Sequence, residues 1–184
     1  MQMTELVAMI EAAFSGLSNV DGLTLAEAAL VDQGIHRQVP DREFDAARAT
    51  DDVHDWRLVP QQVLSDCCGF MSHLEPEAWR YYLPALMLFC LKNEYSSGFD
   101  LDAMTSLLFQ LDHGKAANSV DMYRLAKFYA LDEKQIAAVR AFLEYLLAEK
   151  LLDEGLAETA ESALKKFWGL PENQRPRADW VILS

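Results

Sequence analysis

The chain has few cysteines, and their placement excludes a disulfide framework. Three occur among the 184 residues: Cys67 and Cys68 are adjacent, and Cys90 stands apart from them. An odd number without regular spacing is typical of proteins kept in a reducing compartment, where thiols stay free. We therefore expect a cytoplasmic protein.

The sequence also lacks a hydrophobic run long enough to cross a bilayer. Its longest nearly uncharged apolar stretch covers residues 81 to 91, whereas a membrane-spanning helix needs about 20 such residues. The segment from Met1 to Leu6 has no basic flank followed by an apolar run, so we expect no signal peptide. The sequence thus predicts neither membrane insertion nor secretion.

Positive charge is scarce. The chain has 16 Lys and Arg against 29 Asp and Glu, which gives a formal charge of −13. A surface this acidic repels phosphate backbones and anionic lipid headgroups, so we predict no nucleic-acid partner and no membrane partner. The charge suits a basic protein partner, although a solvated surface that merely keeps the protein soluble has the same composition.

No motif for a cofactor, a metal or a catalytic site is present. The eight glycines never form a phosphate-binding pattern, and the four histidines have neither the spacing of helical zinc ligands nor that of di-iron bundles. We predict no cofactor, no metal and no catalytic residue. A cysteine-dependent enzyme that uses Cys67 or Cys68 with His73 stays open as a less favoured alternative, because a thiol nucleophile needs a nearby base.

What the sequence does contain is a series of segments whose apolar residues recur every three or four positions, as in amphipathic α-helices. Two pairs, Thr24 with Glu27 and Asp132 with Gln135, have the spacing of a capping box, in which each side chain binds a free backbone N–H at a helix start. We predict an all-α fold. It is expected to be a single domain over residues 1–184, a multi-helix bundle of about seven or eight helices around a buried central helix.

The most apolar and aromatic stretch, residues 75 to 91, is predicted to supply that central helix. Nearly every residue from 85 to 91 is apolar, so this helix must be covered on most sides. In a continuous helix the ring of Pro84 would collide with the carbonyl of Arg80. We therefore predict that a short helix from Pro76 breaks or kinks near Leu83 and that a second helix starts at Pro84.

Residues 35 to 55 show no sustained periodicity and are predicted to form a long irregular loop. Long loops in compact domains often have a function. Residues 170 to 184 are predicted to be a C-terminal extension whose apolar end docks in a groove; contact of this end with another chain is the less favoured alternative. The carboxylates of the loop are predicted to bind a protein partner: Asp41, Glu43, Asp45, Asp51, Asp52 and Asp55.

Two stretches resemble the central signature of a bacterial all-helical family known only as a domain of unknown function. One is Trp56-Arg57-Leu58-Val59-Pro60, and the other runs from Phe70 to Ala85 and contains Trp79-Arg80-Tyr81-Tyr82-Leu83-Pro84-Ala85. Trp79 stands where the family usually has phenylalanine, and the tail past Gly169 has no counterpart. The resemblance implies an all-helical fold and a bacterial origin, and it supplies no catalytic residue. Later blocks of the family are similar to Leu131–Gln135, Phe142–Leu143, Ala163–Leu164 and Phe167–Trp168.

Two classes of function follow from these features. The one we favour is an acidic, non-enzymatic protein-binding module of the immunity type, which neutralises a cognate bacterial toxin by masking a basic cleft. The alternative is a cytosolic regulatory or self-associating protein, whose charge serves solubility. The cysteine-dependent enzyme is less favoured than either.

Overall fold

The computed structural model describes residues 1–34, 38–92, 100–112 and 119–176. Within these ranges the chain is all-helical and has no strand, which confirms the predicted fold class. Three 3₁₀ turns, Trp56–Leu58, Cys68–His73 and Glu172–Gln174, lie between or after the α-helices. The nine α-helices of these ranges are α1 (Met3–Ala13), α2 (Leu25–Gly34), α3 (Asp41–Arg48), α4 (Gln61–Cys67), α5 (Pro76–Lys92), α6 (Asp100–Leu111), α7 (Ser119–Tyr129), α8 (Glu133–Ala148) and α9 (Glu154–Ala163).

By their internal contacts the residues fall into two compact units. One consists of Met1–Ala13 together with Leu108–Ser184, and the other is Phe14–Leu107. The organisation of the whole chain as a single domain stays a prediction.

Helix α5 is the buried centre of the unit Phe14–Leu107. Every residue from Tyr81 to Leu91 is buried. The helix runs unbroken from Pro76 to Lys92, so the predicted break near Leu83 is wrong. A proline inside a helix costs roughly 3 kcal/mol, whereas full burial of one large apolar side chain contributes about 1.5–3 kcal/mol. The many side chains buried around Pro84 therefore outweigh its penalty.

Local polar contacts set the ends of the shorter elements of this unit. The Glu27 carboxylate accepts a hydrogen bond from the Thr24 N–H at 2.7 Å, and the Thr24 hydroxyl accepts one from the Glu27 N–H at 3.1 Å. This capping box confirms the predicted start of α2. Further along, Trp56 is 2% exposed, and its indole N–H donates to the Phe14 carbonyl at 2.8 Å.

Helix α3 lies in the middle of the stretch predicted to be irregular, so that prediction is wrong over residues 41–48. Asp41 and Glu43 lie in its first turn and Arg48 in its last turn, where charges of these signs interact favourably with the helix dipole. The helix is short and buries no residue, so it lacks an apolar stripe that would have revealed it. Residues 35–37 lie outside the described ranges.

The unit that contains the C-terminal residues has an aromatic core. The ring of Phe128 lies 4.5 Å from that of Trp168 and 5.0 Å from that of Phe167, measured between centroids. The indole N–H of Trp168 donates to the Leu111 carbonyl at 2.8 Å. These contacts join three helical segments that are distant in the sequence.

Helix starts in this unit follow from capping side chains. Asp132 and Gln135 form the predicted capping box of α8. Helix α9 begins at Glu154, because the Asp153 carboxylate accepts a hydrogen bond from the Leu156 N–H at 2.9 Å and caps the helix there. After Ala163 the helix widens into a π-helical turn, Leu164–Trp168.

The described part of the predicted C-terminal extension is tied to its own unit. The Arg175 guanidinium binds the Glu133 carboxylate, with one N–H at 3.1 Å. It also lies 5.7 Å from the centre of the Phe167 ring. Residues 177–184, which include the apolar end predicted to dock in a groove, lie outside the described residues.

Candidate functional site

The six carboxylates predicted to bind a partner divide into two groups, one on α3 and one in the turn that follows it. On α3, Asp41 and Asp45 are exposed, whereas Glu43 is half-buried. Arg42 is exposed as well. By helical spacing it lies on the same side as the two aspartates, so this side carries two carboxylates and one guanidinium.

The Asp51 carboxylate, which begins the second group, joins the turn after α3 to α5 and to the start of α2. Its Oδ2 accepts a hydrogen bond from the Tyr82 hydroxyl at 3.0 Å, and its Oδ1 accepts one from the Asp52 N–H at 2.9 Å. The backbone N–H groups of Leu25 and Ala26, at the start of α2, also donate to it. Burial raises the pKa of Asp51 above 3.8, because loss of hydration penalises the charge more than these bonds stabilise it.

Tyr81 and Tyr82 hold the same turn from the α5 side. The Tyr81 hydroxyl donates to the Asp52 carbonyl at 2.9 Å. Both tyrosines are fully buried, and their rings meet edge to face at 5.0 Å. Burial, with the carboxylates nearby, raises the pKa of both phenols, so both stay protonated donors. Tyr81 and Tyr82 therefore position the turn.

Asp52 and Asp55 accept hydrogen bonds from the residues that follow them in the chain. The Asp52 Oδ1 accepts hydrogen bonds from the N–H groups of His54 at 2.9 Å and Asp55 at 2.8 Å. Asp55 binds the Arg57 guanidinium through both oxygens, at 2.8 and 2.7 Å, and this hydrogen bonding lowers the pKa of Asp55. The carboxylates of the second group thus already have partners inside their own unit.

Most of the negative charge belongs to the unit Phe14–Leu107. This unit contains 15 of the 29 acidic residues and 6 of the 16 basic residues, and so carries −9 of the total −13. Two of its arginines are engaged internally: Arg48 pairs with Glu27 at 2.8 Å, and Arg57 pairs with Asp55 at 2.7 Å. The field around this unit is therefore strongly negative.

The cysteines lack the setting of a nucleophile. Cys68 is 5% exposed. Burial and the Asp66 carboxylate raise the pKa of the half-buried Cys67 to about 11, whereas reactive thiols have a lowered pKa. His73, the candidate base, has its Nε2 at 3.2 Å from the Asp32 carboxylate. This geometry argues against the cysteine-dependent enzyme.

Lys127 is an unusual group that sequence reasoning missed. The residue is 1% exposed, and its Nζ lies 4.7 Å from the centre of the Tyr123 ring. Burial and the charge of Arg124 lower its pKa from 10.5 to about 7. Lysines with such a pKa serve as nucleophiles where a substrate reaches them. Lys127 is enclosed by protein, so this requirement is not met.

Two of the grooves formed by described residues lie in the unit that contains the C-terminal residues. The larger, about 520 Å³, is lined by α9 and the turn after it. There Asp112 accepts hydrogen bonds from the Ser162 hydroxyl at 3.1 Å and from Lys166 at 3.0 Å, so these polar groups hold the fold together. The smaller, about 370 Å³, has the pair of Arg175 and Glu133 in its wall. Neither groove presents an organised set of ligand-binding groups.

Among the described residues no group of three or more His, Cys, Asp or Glu could hold a metal ion. No helix within the described ranges is long and apolar enough to cross a membrane.

Residues 2–170 match the model of a protein family described as "Family of unknown function (DUF6714)". Because the match covers nearly the whole chain, the chain belongs to this family. The predicted membership of a family of unknown function is thereby confirmed. No curated protein and no solved structure matches the chain.

Proposed function

We propose that this member of the DUF6714 family is an acidic, non-enzymatic module that binds a basic face of a partner protein. The observation that carries the proposal is the concentration of negative charge. The unit Phe14–Leu107 has a formal charge of −9, out of −13 for the whole chain. Opposite charge on a partner speeds association, and like charge on other proteins disfavours their binding. A cytoplasmic protein of this kind needs no catalytic residue.

Helix α3 is the contact that we propose within this unit. Asp41 and Asp45 are exposed and stand one helical turn apart, so a partner can meet both with cations of similar spacing. Arg48 at the other end of the helix is bound to Glu27. The two carboxylates are thus presented on a backbone that is held in place, which reduces the conformational freedom lost on binding.

The specific form of the proposal is an immunity-type protein that neutralises a cognate bacterial toxin by covering its basic cleft. Its support is the same negative field on a compact helical body. We expect a gene for a basic secreted toxin next to the gene for this chain. If no such gene is present, the immunity form is contradicted, and binding of another basic protein is left.

Charge reversal on α3 tests the proposal. The tagged full chain is expected to capture a basic protein from a lysate of the source organism, and Asp41→Lys with Asp45→Lys is expected to lower that capture at least tenfold. With the purified partner, the double variant should associate more slowly, and its rate should depend less on salt. Mass spectrometry identifies the captured protein, and stopped-flow mixing measures the rates.

The matched control is Glu154→Lys with Glu158→Lys. These two glutamates are exposed, lie one turn apart and begin α9 just as Asp41 and Asp45 begin α3. Both double variants change the net charge by the same amount, so a general charge effect would weaken both equally. Equal loss in the two variants, or unchanged capture by the α3 variant, would contradict the proposal. Capture of an acidic protein would favour the regulatory alternative.

A further inference from the structure

The segment that carries α3 is attached without a buried side chain. None of the residues from 38 to 55 is buried, and α3 faces its unit with the half-buried side chains of Phe44 and Ala47. The neighbouring Trp56 is 2% exposed and Leu25 is fully buried. Apolar burial contributes in proportion to the area removed from water. The position of α3 therefore depends heavily on polar contacts.

Arg48 makes the polar contacts at the end of α3. Its Nη1 donates to the Glu27 Oε2 at 2.8 Å and to the Gly22 carbonyl at 3.0 Å, and its Nη2 donates to the Val20 carbonyl at 2.6 Å. One guanidinium thus ties α3 both to α2 and to the loop before it. The planar fork of arginine suits such a set of acceptors, which a lysine ammonium cannot match.

The residues around the acceptors of Arg48 include buried polar side chains. Thr24 is fully buried, Glu27 is 7% exposed and Asn19 is 4% exposed. Glu27 is already held in the capping box with Thr24, and its Oε2 also receives Arg48. If α3 moves away, water can hydrate this carboxylate, and the capping box stays intact. Release of Arg48 from this site therefore leaves the Glu27 carboxylate with hydrogen-bond partners.

The turn after α3 is held by hydrogen bonds to buried residues of its unit. The Asn19 N–H donates to the Val53 carbonyl at 2.7 Å. The hydroxyls of the buried Tyr81 and Tyr82 bind the Asp52 carbonyl and the Asp51 carboxylate at 2.9 and 3.0 Å. Residues 51–53 are thus fixed to α5 and to the loop before α2, whereas α3 is held to α2 through Arg48.

We propose that α3 is a flap anchored at residues 51–53, and that Arg48 is the positioning residue that keeps it closed. In the closed position the flap presents Asp41 and Asp45 on a fixed backbone; release of Arg48 lets α3 swing away while α5 and its core stay folded. Segments with little buried apolar area open locally at a lower free energy than the whole fold. This inference rests on the proposed function for the purpose of the flap but not for its motion.

Amide hydrogen exchange of the full chain tests the motion. Arg48→Met is expected to speed exchange of the amides in residues 41–50 by about ten- to a hundredfold, as for the loss of charge-assisted hydrogen bonds. The amides of α5 should be unchanged. Arg48→Lys should give exchange rates between those of the wild type and of Arg48→Met. A lysine ammonium can reach Glu27, but it cannot also bind both carbonyls as the guanidinium does. The matched control is Arg57→Met, whose side chain is 52% exposed and pairs with Asp55; it should change both regions by less than about twofold.

Two results would contradict the proposal that α3 is a flap. In one, Arg48→Met leaves exchange over residues 41–50 unchanged; in the other, it speeds exchange in α5 by the same factor, so that the whole unit is destabilised. Capture of the basic partner separates this inference from the proposed function. If the α3 charge reversals do not weaken capture, the proposed function fails, and the exchange result still decides the flap. If capture depends on Asp41 and Asp45 but Arg48→Met leaves it unchanged, Arg48 does not position the binding face.

Discussion

Replacing Lys127 by methionine is expected to raise the free energy of unfolding at pH 7 by up to about 4 kcal/mol. In the folded protein the pKa of Lys127 is lowered from 10.5 to about 7, because burial removes the ammonium group from water and Arg124 lies nearby. The folded state therefore binds this proton less tightly than the unfolded state does. Methionine has a similar length and carries no charge, so it removes the cost.

The size of this effect depends on pH with a definite sign. Above pH 10.5 the lysine is neutral in both states and its charge costs nothing. As the pH falls from 10.5 towards 7, the unfolded chain takes up a proton that the folded chain does not, and stability is lost. At pH 9.5 the advantage of Lys127→Met should shrink to about 1 kcal/mol. Urea denaturation of both proteins at the two pH values, followed by circular dichroism, measures the difference.

Lys134→Met is the control, because Lys134 is exposed on α8. Its effect should stay within about 0.5 kcal/mol at both pH values. An advantage of Lys127→Met that is the same at pH 7 and pH 9.5 would show that better packing, and not titration, is responsible. A loss of stability at pH 7 would show that the contacts of the ammonium group outweigh its lost hydration.

The features that could be predicted from the sequence are those whose causes are local. The capping boxes at Thr24 and Asp132 need a partner only three residues away, so their spacing alone predicts where α2 and α8 begin. The all-α fold follows from the same short-range periodicity. Even the central helix was located correctly from its composition, although its continuity through Pro84 depends on burial by the rest of its unit.

The roles of individual polar side chains were missed because their causes are distant in the sequence. Asp51 stands in an acidic run that reads as solvent-exposed, and its engagement depends on Tyr82, which lies 31 residues further along. Arg48 reaches Glu27 across 21 residues. On α7 the aromatic residue Tyr129 is 43% exposed, whereas the basic residue Lys127 is buried. No spacing rule distinguishes a buried lysine from an exposed one.

The carboxylates on α3 and those in the turn after it should differ in their effect on stability, because only the second group is bound within its own unit. Asp51→Lys is expected to lower the free energy of unfolding by about 3 kcal/mol or more. The substitution removes the acceptor for Tyr82 and for the N–H groups at the start of α2, and it places a cation at that helix start. Asp45→Lys, on the exposed side of α3, should change stability by less than about 0.5 kcal/mol. Asp51→Asn, which keeps the shape and a carbonyl oxygen, should be milder than Asp51→Lys.

Urea denaturation of these three variants at pH 7 decides between two descriptions of the acidic stretch. If Asp51→Lys is as stable as Asp45→Lys, Asp51 is a surface charge, and all six predicted carboxylates are again candidates for one binding face. If only Asp51→Lys is strongly destabilised, loss of partner binding in that variant says nothing about a contact, because the turn that carries α3 has been disrupted. A binding test must then use Asp41 and Asp45, whose charges can be reversed without unfolding the helix that presents them.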